Sequence, residues 1–195
     1  MKSLKPIFTG GLLAILASHG LPAANAQPSQ QVRQFAVAGI AVGSPSTNAV
    51  GRAQSLGYAP AKIVERCPKD YGHETWVNGE CPVPKRLFKA DMRNGDETID
   101  MDFVEFPNGS VVREVSYAIR NTTTTLDEVI AEMTDRYGAP TKTGRYTIWC
   151  ADTCNTKLSV SMVGPNTLLI LAVDNTLMAK ASQAYAERSG RKASF

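Results

Sequence analysis

Four cysteines, one loop histidine and a pair of aspartates are the residues through which this chain could do chemistry. Cys67, Cys81, Cys150 and Cys154 are its 4 cysteines. An even number in an exported chain argues for two disulfides. Of the three possible pairings, Cys67–Cys81 and Cys150–Cys154 close the shortest loops at the least entropic cost. Zinc is the rival chemistry, but neither cysteine spacing suits a zinc site and such thiolates are uncommon in exported proteins. No metal and no cofactor are therefore expected. Of the 2 histidines, His19 lies in the N-terminal segment expected to be cleaved as a secretory signal, which leaves His73 for any Ser-His-Asp or Cys-His arrangement. It sits in Lys69-Asp-Tyr-Gly-His-Glu-Thr-Trp76, a polar stretch between Cys67 and Cys81, where a solvated histidine is the simpler reading. The G-x-S-x-G, P-loop and G-x-G-x-x-G patterns do not occur.

Asp100 and Asp102 alternate along a strand-like segment, so they share a face about 7 Å apart. Paired carboxylates at such distances can perform acid/base work. The hairpin register worked out below sets Asp102 opposite Glu114 and turns the apolar residues to the other face. The expectation is thus an acidic, solvated outer face, with weak cation binding as its remaining chemistry. Recognition has a better candidate. Tyr71, His73, Trp76 and Asn78 place large amphipathic groups beside Gly72 and Gly79 on a stapled loop, and Tyr and Trp are favoured anchors. Alternatively Trp76 tucks under its own loop and shields the disulfide. Trp149, beside Cys150, has the same two options.

The elements that would position these residues are legible in part. Thr125-Leu-Asp-Glu128 reads as a capping box. Leu126, Val129, Ile130, Met133 and Tyr137 follow on one helical stripe, and Gly138 and Pro140 end it. Ser44–Gly57 has the same outline: a serine cap, Pro45 at the first position, a stripe of Ala49, Val50, Ala53 and Leu56, and a terminating glycine. Each helix follows a strand-like segment (35–42 and 111–120) and leads into an extended one ending in a cysteine, which predicts two structurally repeated units. Between the helices, 86–93, 97–106 and 111–120 read as an antiparallel meander. Phe106-Pro-Asn-Gly-Ser110 fits a three-residue loop with Gly109 at a left-handed bulge position. That register sets Ile99 opposite Tyr117 and Met101 opposite Val115, and a one-residue slip would scatter the apolar face. Strands at 143–150, 156–163 and 167–174 complete the second unit. Leu168–Val173 is apolar throughout, as in a strand covered on both faces. A last helix at 175–188 carries Leu177, Met178, Ala181 and Tyr185 on one side.

Composition sets the compartment. Lys2 and Lys5, an apolar run from Ile7 to Ala17, and Ala24-Asn25-Ala26 have the order of a cleavable secretory signal, with the cut after Ala26. The run is too short to span a bilayer, no later stretch is long enough either, and no cysteine lies near the cut to be lipidated. Cleavage would remove two of the 21 basic residues and none of the 18 acidic ones, taking the formal charge of +3 close to zero. With no Lys/Arg cluster, nucleic acid is not an expected partner. The expected organisation is a signal over 1–26, a leader over 27–32, units over 33–120 and 121–190, and a tail over 191–195. The expected fold is α+β, with two tandem helix-plus-antiparallel-sheet units stapled by disulfides.

Val42-Gly-Ser44, the short helix, Leu56-Gly57 and the strands that follow resemble the repeated unit of the beta-lactamase-inhibitor-protein-like fold, shared with outer-membrane assembly lipoproteins of the SmpA/OmlA type. The resemblance covers most of 33–174 in outline. Gly43-Ser44-Pro45 stands where the family has a glycine-methionine-threonine helix start, and no inhibitory contact maps to a position here. It implies two tandem units with a disulfide in each and, since known members bind proteins, a binding or inhibitory role. The resulting expectation is a non-enzymatic, periplasmic or secreted binding module whose partner is an envelope or secreted protein. A carboxylate-dependent envelope hydrolase and a structural envelope protein are the alternatives.

Overall fold

The computed structural model of the chain describes residues 35–68, 80–81, 83–151 and 153–190. The segments expected to be the signal, leader and tail, and Tyr71, His73, Trp76 and Asn78, lie outside them. The described chain runs β1 (Ala36–Val37), β2 (Ile40–Ala41), α1 (Ser46–Ser55), β3 (Ala59–Arg66), β4 (Arg86–Asn94), β5 (Glu97–Phe106), β6 (Gly109–Ile119), α2 (Leu126–Tyr137), β7 (Thr147–Ala151), β8 (Thr156–Val163), β9 (Thr167–Asp174) and α3 (Thr176–Arg188). The fold is α+β: a helix followed by an antiparallel meander occurs twice, α1 with β3–β6 and α2 with β7–β9. The meanders join through the antiparallel β6–β9 pair into one seven-stranded sheet of order β3-β4-β5-β6-β9-β8-β7.

The segment 35–42 is a two-residue hairpin rather than one strand. Ala38 and Gly39 take φ of 52° and 75°, the paired positive values of a tight hairpin turn, and Val37 lies opposite Ile40. A single strand would turn Phe35 and Val37 to one face and Ile40 and Val42 to the other. Folded double, all four are buried.

Ser44 does not cap α1. Its hydroxyl donates to the Ala41 carbonyl at 2.7 Å, and the residue before the helix is Pro45, with ψ of 138° and no side-chain cap. The reason is tertiary. Gly43 N–H donates to Val112 O at 2.7 Å and Val112 N–H to Ser44 O at 2.8 Å. This extended stretch thereby fills the part of β6 that lies beyond its pairing with β9, and satisfying a buried ladder outweighs a local cap. The far end of α1 behaves as expected. Gly57 N–H bonds Gln54 O and Tyr58 N–H bonds Ala53 O, with Gly57 at φ 89°, the double bond of a Schellman motif.

In α2 the capping box is complete: Glu128 N–H donates to Thr125 Oγ1 at 3.3 Å, and Thr125 N–H to Glu128 Oε2 at 2.8 Å. Val129 and Met133 are buried, and Leu126, Ile130 and Tyr137 pack at the margin of the same core. Trp149 belongs to that core. Its indole N–H donates to Gly138 O at 2.8 Å, tying the end of α2 to β7, so its role is structural.

The β5–β6 hairpin departs from expectation near its turn. Phe106 pairs with Gly109, leaving a two-residue turn, and Ile99 pairs with Tyr117 and Met101 with Val115 as anticipated. Both hold because Arg113 is an extra residue between the pairs Asp102–Glu114 and Phe103–Val112. Strict alternation would put Val112 and Val115 on opposite faces. The bulge returns both to the core, where each is fully buried.

One sheet face carries α1, α2 and the main core, including Met92, Ile99, Met101, Leu158 and Val160. α3 lies on the other face, over Val104 and Val111. Within α3, Leu177 and Ala181 are buried, but Met178 is 51 % exposed, so the anticipated stripe is narrower by one residue. In β9, Leu168, Ile170 and Ala172 are buried on one face; on the other, Val173 is buried while Leu169 and Leu171 are half-buried, so the expected double covering is complete only toward the end of the strand. β7 starts at Thr147, later than expected, and Thr141–Lys142 closes its outer edge through bonds to Ile148. The cysteines pair as Cys67–Cys81, with Cα atoms 5.6 Å apart beyond the end of β3, and Cys150–Cys154, 4.6 Å apart across the β7–β8 turn. No helix among the described residues is long and apolar enough to cross a membrane.

Candidate functional site

On the face of β3–β6 turned away from α1 and α2, the sequence alternates charged residues with core residues. In β4, Lys89, Asp91 and Arg93 alternate with buried Ala90 and Met92; in β5, Asp100 and Asp102 alternate with buried Ile99, Met101 and Phe103. Period-two patterning thus builds a polar surface on the back of the apolar core. The ladder pairs Lys89 with Asp102, Asp91 with Asp100, and Lys62 with Asp91. Between them lies a concavity of about 290 Å³, lined by Lys62, Lys89, Asp91, Asp100, Asp102 and Glu114.

Asp102 is the most constrained carboxylate of the group. Lys89 Nζ approaches Oδ1 at 2.9 Å and Arg113 Nη2 approaches Oδ2 at 3.2 Å. Arg113 also reaches Glu114 at 3.3 Å. The bulge makes this possible, because it sets two successive residues, Arg113 and Glu114, against one, Asp102. Asp91 is bound by Arg93 at 3.0 Å. Asp100 makes no ion pair among the described residues and faces Asp91 directly across the ladder. Partial burial and then the Asp91 charge push its carboxyl above the usual range; Arg93 opposes and Asp102 adds to the rise. Among the described residues no group of three or more His, Cys, Asp or Glu is placed to hold a metal ion.

The expected sharing of a face by Asp100 and Asp102, and the opposition of Asp102 to Glu114, are both present. Of the recognition residues anticipated from sequence, Tyr71, His73, Trp76 and Asn78 lie outside the described residues, while Cys67 and Cys81 form the bridge that staples their loop. The partners Lys62, Lys89, Asp91, Arg93 and Arg113 were not anticipated. Alternation in β4 could have indicated Asp91 and Arg93, but Arg113 reaches the site only through a bulge that no local pattern announces.

A second polar cluster also escaped sequence reading. The Tyr58 hydroxyl donates to Glu97 Oε2, and Tyr117 lies within the same cluster. Burial, followed by the neighbouring acceptor groups, drives both phenols well above their usual range. Tyr58 is the residue that closes the Schellman motif and Glu97 opens β5, so the cluster fastens α1 to the sheet.

No protein family, no characterised protein and no solved structure matches the chain.

Proposed function

We propose that this protein is an exported, disulfide-stapled binding module without catalysis of its own. It recognises an envelope or secreted protein, or a ligand, through the charged face of β3–β6 and the loop closed by Cys67–Cys81. One observation carries the reading: on this open surface Asp102 is clamped by two cations and Asp91 by a third. A catalytic carboxylate must reach a reacting atom in a site that excludes water. Alternating, mutually held charges on a rigid sheet instead set orientation and steer encounter with a partner. Two disulfides fit an oxidising compartment, and the residue order of 1–26 fits export. The resemblance over 33–174 to a fold whose known members bind proteins supports the same reading.

The test is affinity capture from envelope extract, followed by titration of the identified partner against purified wild type, Asp100→Asn and Tyr71→Ala/Trp76→Ala proteins. Weakened binding in either variant, with unchanged thermal unfolding, supports recognition through these surfaces. A partner bound equally by all three proteins rejects them, and no partner at all leaves a structural envelope role. One observation favours a second reading, a carboxylate-dependent hydrolase: the carboxyl of Asp100, raised by partial burial and by the Asp91 charge, shares a strand face with Asp102, and a raised carboxyl suits a general acid. A hydrolytic activity abolished by Asp100→Asn would establish that reading over the first.

A further inference from the structure

Across the sheet, one row of paired residues runs Asp100, Ser116, Leu171, Ser159, Ile148 and Lys142, from β5 to the segment that closes the edge of β7. Residues paired across a ladder share a face. Here it is the face opposite α1 and α2, because the residues that alternate with these, among them Leu158, Val160 and Ile170, lie in the main core. The next row adds Ala118, Leu169 and Ser161. Ser159 and Ser161 are buried, whereas Leu169, Leu171 and Ile148 are half-buried. The serines are thus the floors of hollows between larger aliphatic side chains. α3 packs farther along the face, on Val104, Phe106 and Val111 toward the β5–β6 turn.

Read backwards, the row is complementary to itself. A second copy, turned about an axis parallel to the strands and midway between β8 and β9, sets Leu171 over Ser159, Ile148 over Ser116 and Lys142 over Asp100. Each contact occurs twice, as two-fold symmetry requires. Leu169 meets Ser161 in the same way. Large side chains thereby meet small ones, which is how two packed sheets interdigitate. The charges at the ends of the row meet as opposites, and neither Asp100 nor Lys142 makes an ion pair among the described residues. Packed sheets cross at about 30°, and the length of the lysine side chain takes up the displacement this causes there. We propose that this face is a two-fold interface through which the protein pairs with a second copy of itself. At about 4.8 Å per strand the row is about 24 Å long, and with about 20 Å along the strands it covers roughly 500 Å² per copy. Both copies together bury about 1,000 Å², at the low end for specific contacts, so the dimer is weak and reversible. Self-pairing is inferred from this face alone and does not depend on what other protein the charged concavity recognises.

Sedimentation equilibrium of the purified, disulfide-bonded protein, with no other protein present, tests this. It should show a monomer–dimer equilibrium with a dissociation constant on the order of 10–100 μM. Leu171→Arg should weaken it by about tenfold or more, with an unchanged unfolding midpoint, because each copy would bury an unpaired charge. Asp100→Lys and Lys142→Asp should each weaken self-association, since like charges then face one another twice. An equimolar mixture of those two variants should associate about as tightly as wild type, because every facing pair is again of opposite sign. A mixture no tighter than either variant alone would overturn the proposal. So would a dimer indifferent to Leu171→Arg, or a wild-type protein that stays monomeric up to about 1 mM, the result expected if another part of the chain covers this face. Asp100 and Lys142 are both exposed, so the mixing experiment decides the matter if Leu171→Arg does not fold.

Discussion

Asp100 lines the concavity of β3–β6 without an ion pair among the described residues. It faces Asp91 across the β4–β5 ladder and its carboxyl is raised, so its ionised form is less favoured in the folded chain than in the unfolded one. For a carboxyl shifted upward, ionisation on raising the pH through the unfolded value favours unfolding. Asp100→Asn should therefore stabilise the protein at pH 7, by about 0.5 kcal/mol given its exposure and solvent screening. The gain should vanish near pH 3, where the wild-type carboxyl is protonated in both states. Urea unfolding of the two proteins at both pH values measures it, and an equal difference at both would show that charge is not the cause. Period-two alternation made the shared face of Asp100 and Asp102 legible from sequence. The two cations on Asp102 were not, because one belongs to a neighbouring strand and the other is placed by a bulge.

At the scale of the element, end signals were read well where they act within a few residues and poorly where distant backbone competes. The capping box of α2 involves groups three residues apart, and it formed as expected. The start of α1 did not, since Gly43 and Ser44 are taken up by hydrogen bonds to Val112 on β6. The end of α1 is again local, and it yields a prediction. Gly57 has φ of 89° and the site where a Cβ would stand is close only to the Asn94 amide, at 3.5 Å. Gly57→Ala therefore meets no serious clash, and its cost is the left-handed backbone alone, about 1–2 kcal/mol. Denaturant unfolding should show that loss with an unchanged m-value. A neutral result would mean that the motif has relaxed to another helix end.

For the whole molecule, the two bridges differ in how much chain they constrain. Cys67–Cys81 has a sequence separation of 14 and Cys150–Cys154 one of 4. Loop-entropy reasoning gives about 3 kcal/mol for the first and about 2 kcal/mol for the second. Replacing the first pair by serine should lower stability by roughly 1 kcal/mol more than replacing the second, as read from midpoints at a common m-value. The reverse order would mean that the β7–β8 turn depends on its bridge for more than loop closure. Short separations also explain why the pairing could be anticipated. The sequence by itself determined the capped α2, the terminating Gly57 and the registers Ile99–Tyr117 and Met101–Val115, and it favoured the local disulfides among three pairings, because each depends on residues within one helix, hairpin or loop. Only the tertiary structure decided that 35–42 folds double, that α3 lies on the face opposite α1 and α2, and that the two meanders meet at β6–β9. Those outcomes depend on which distant strand edge satisfies which backbone groups and on burying apolar faces from both units together. No short window of sequence carries that information.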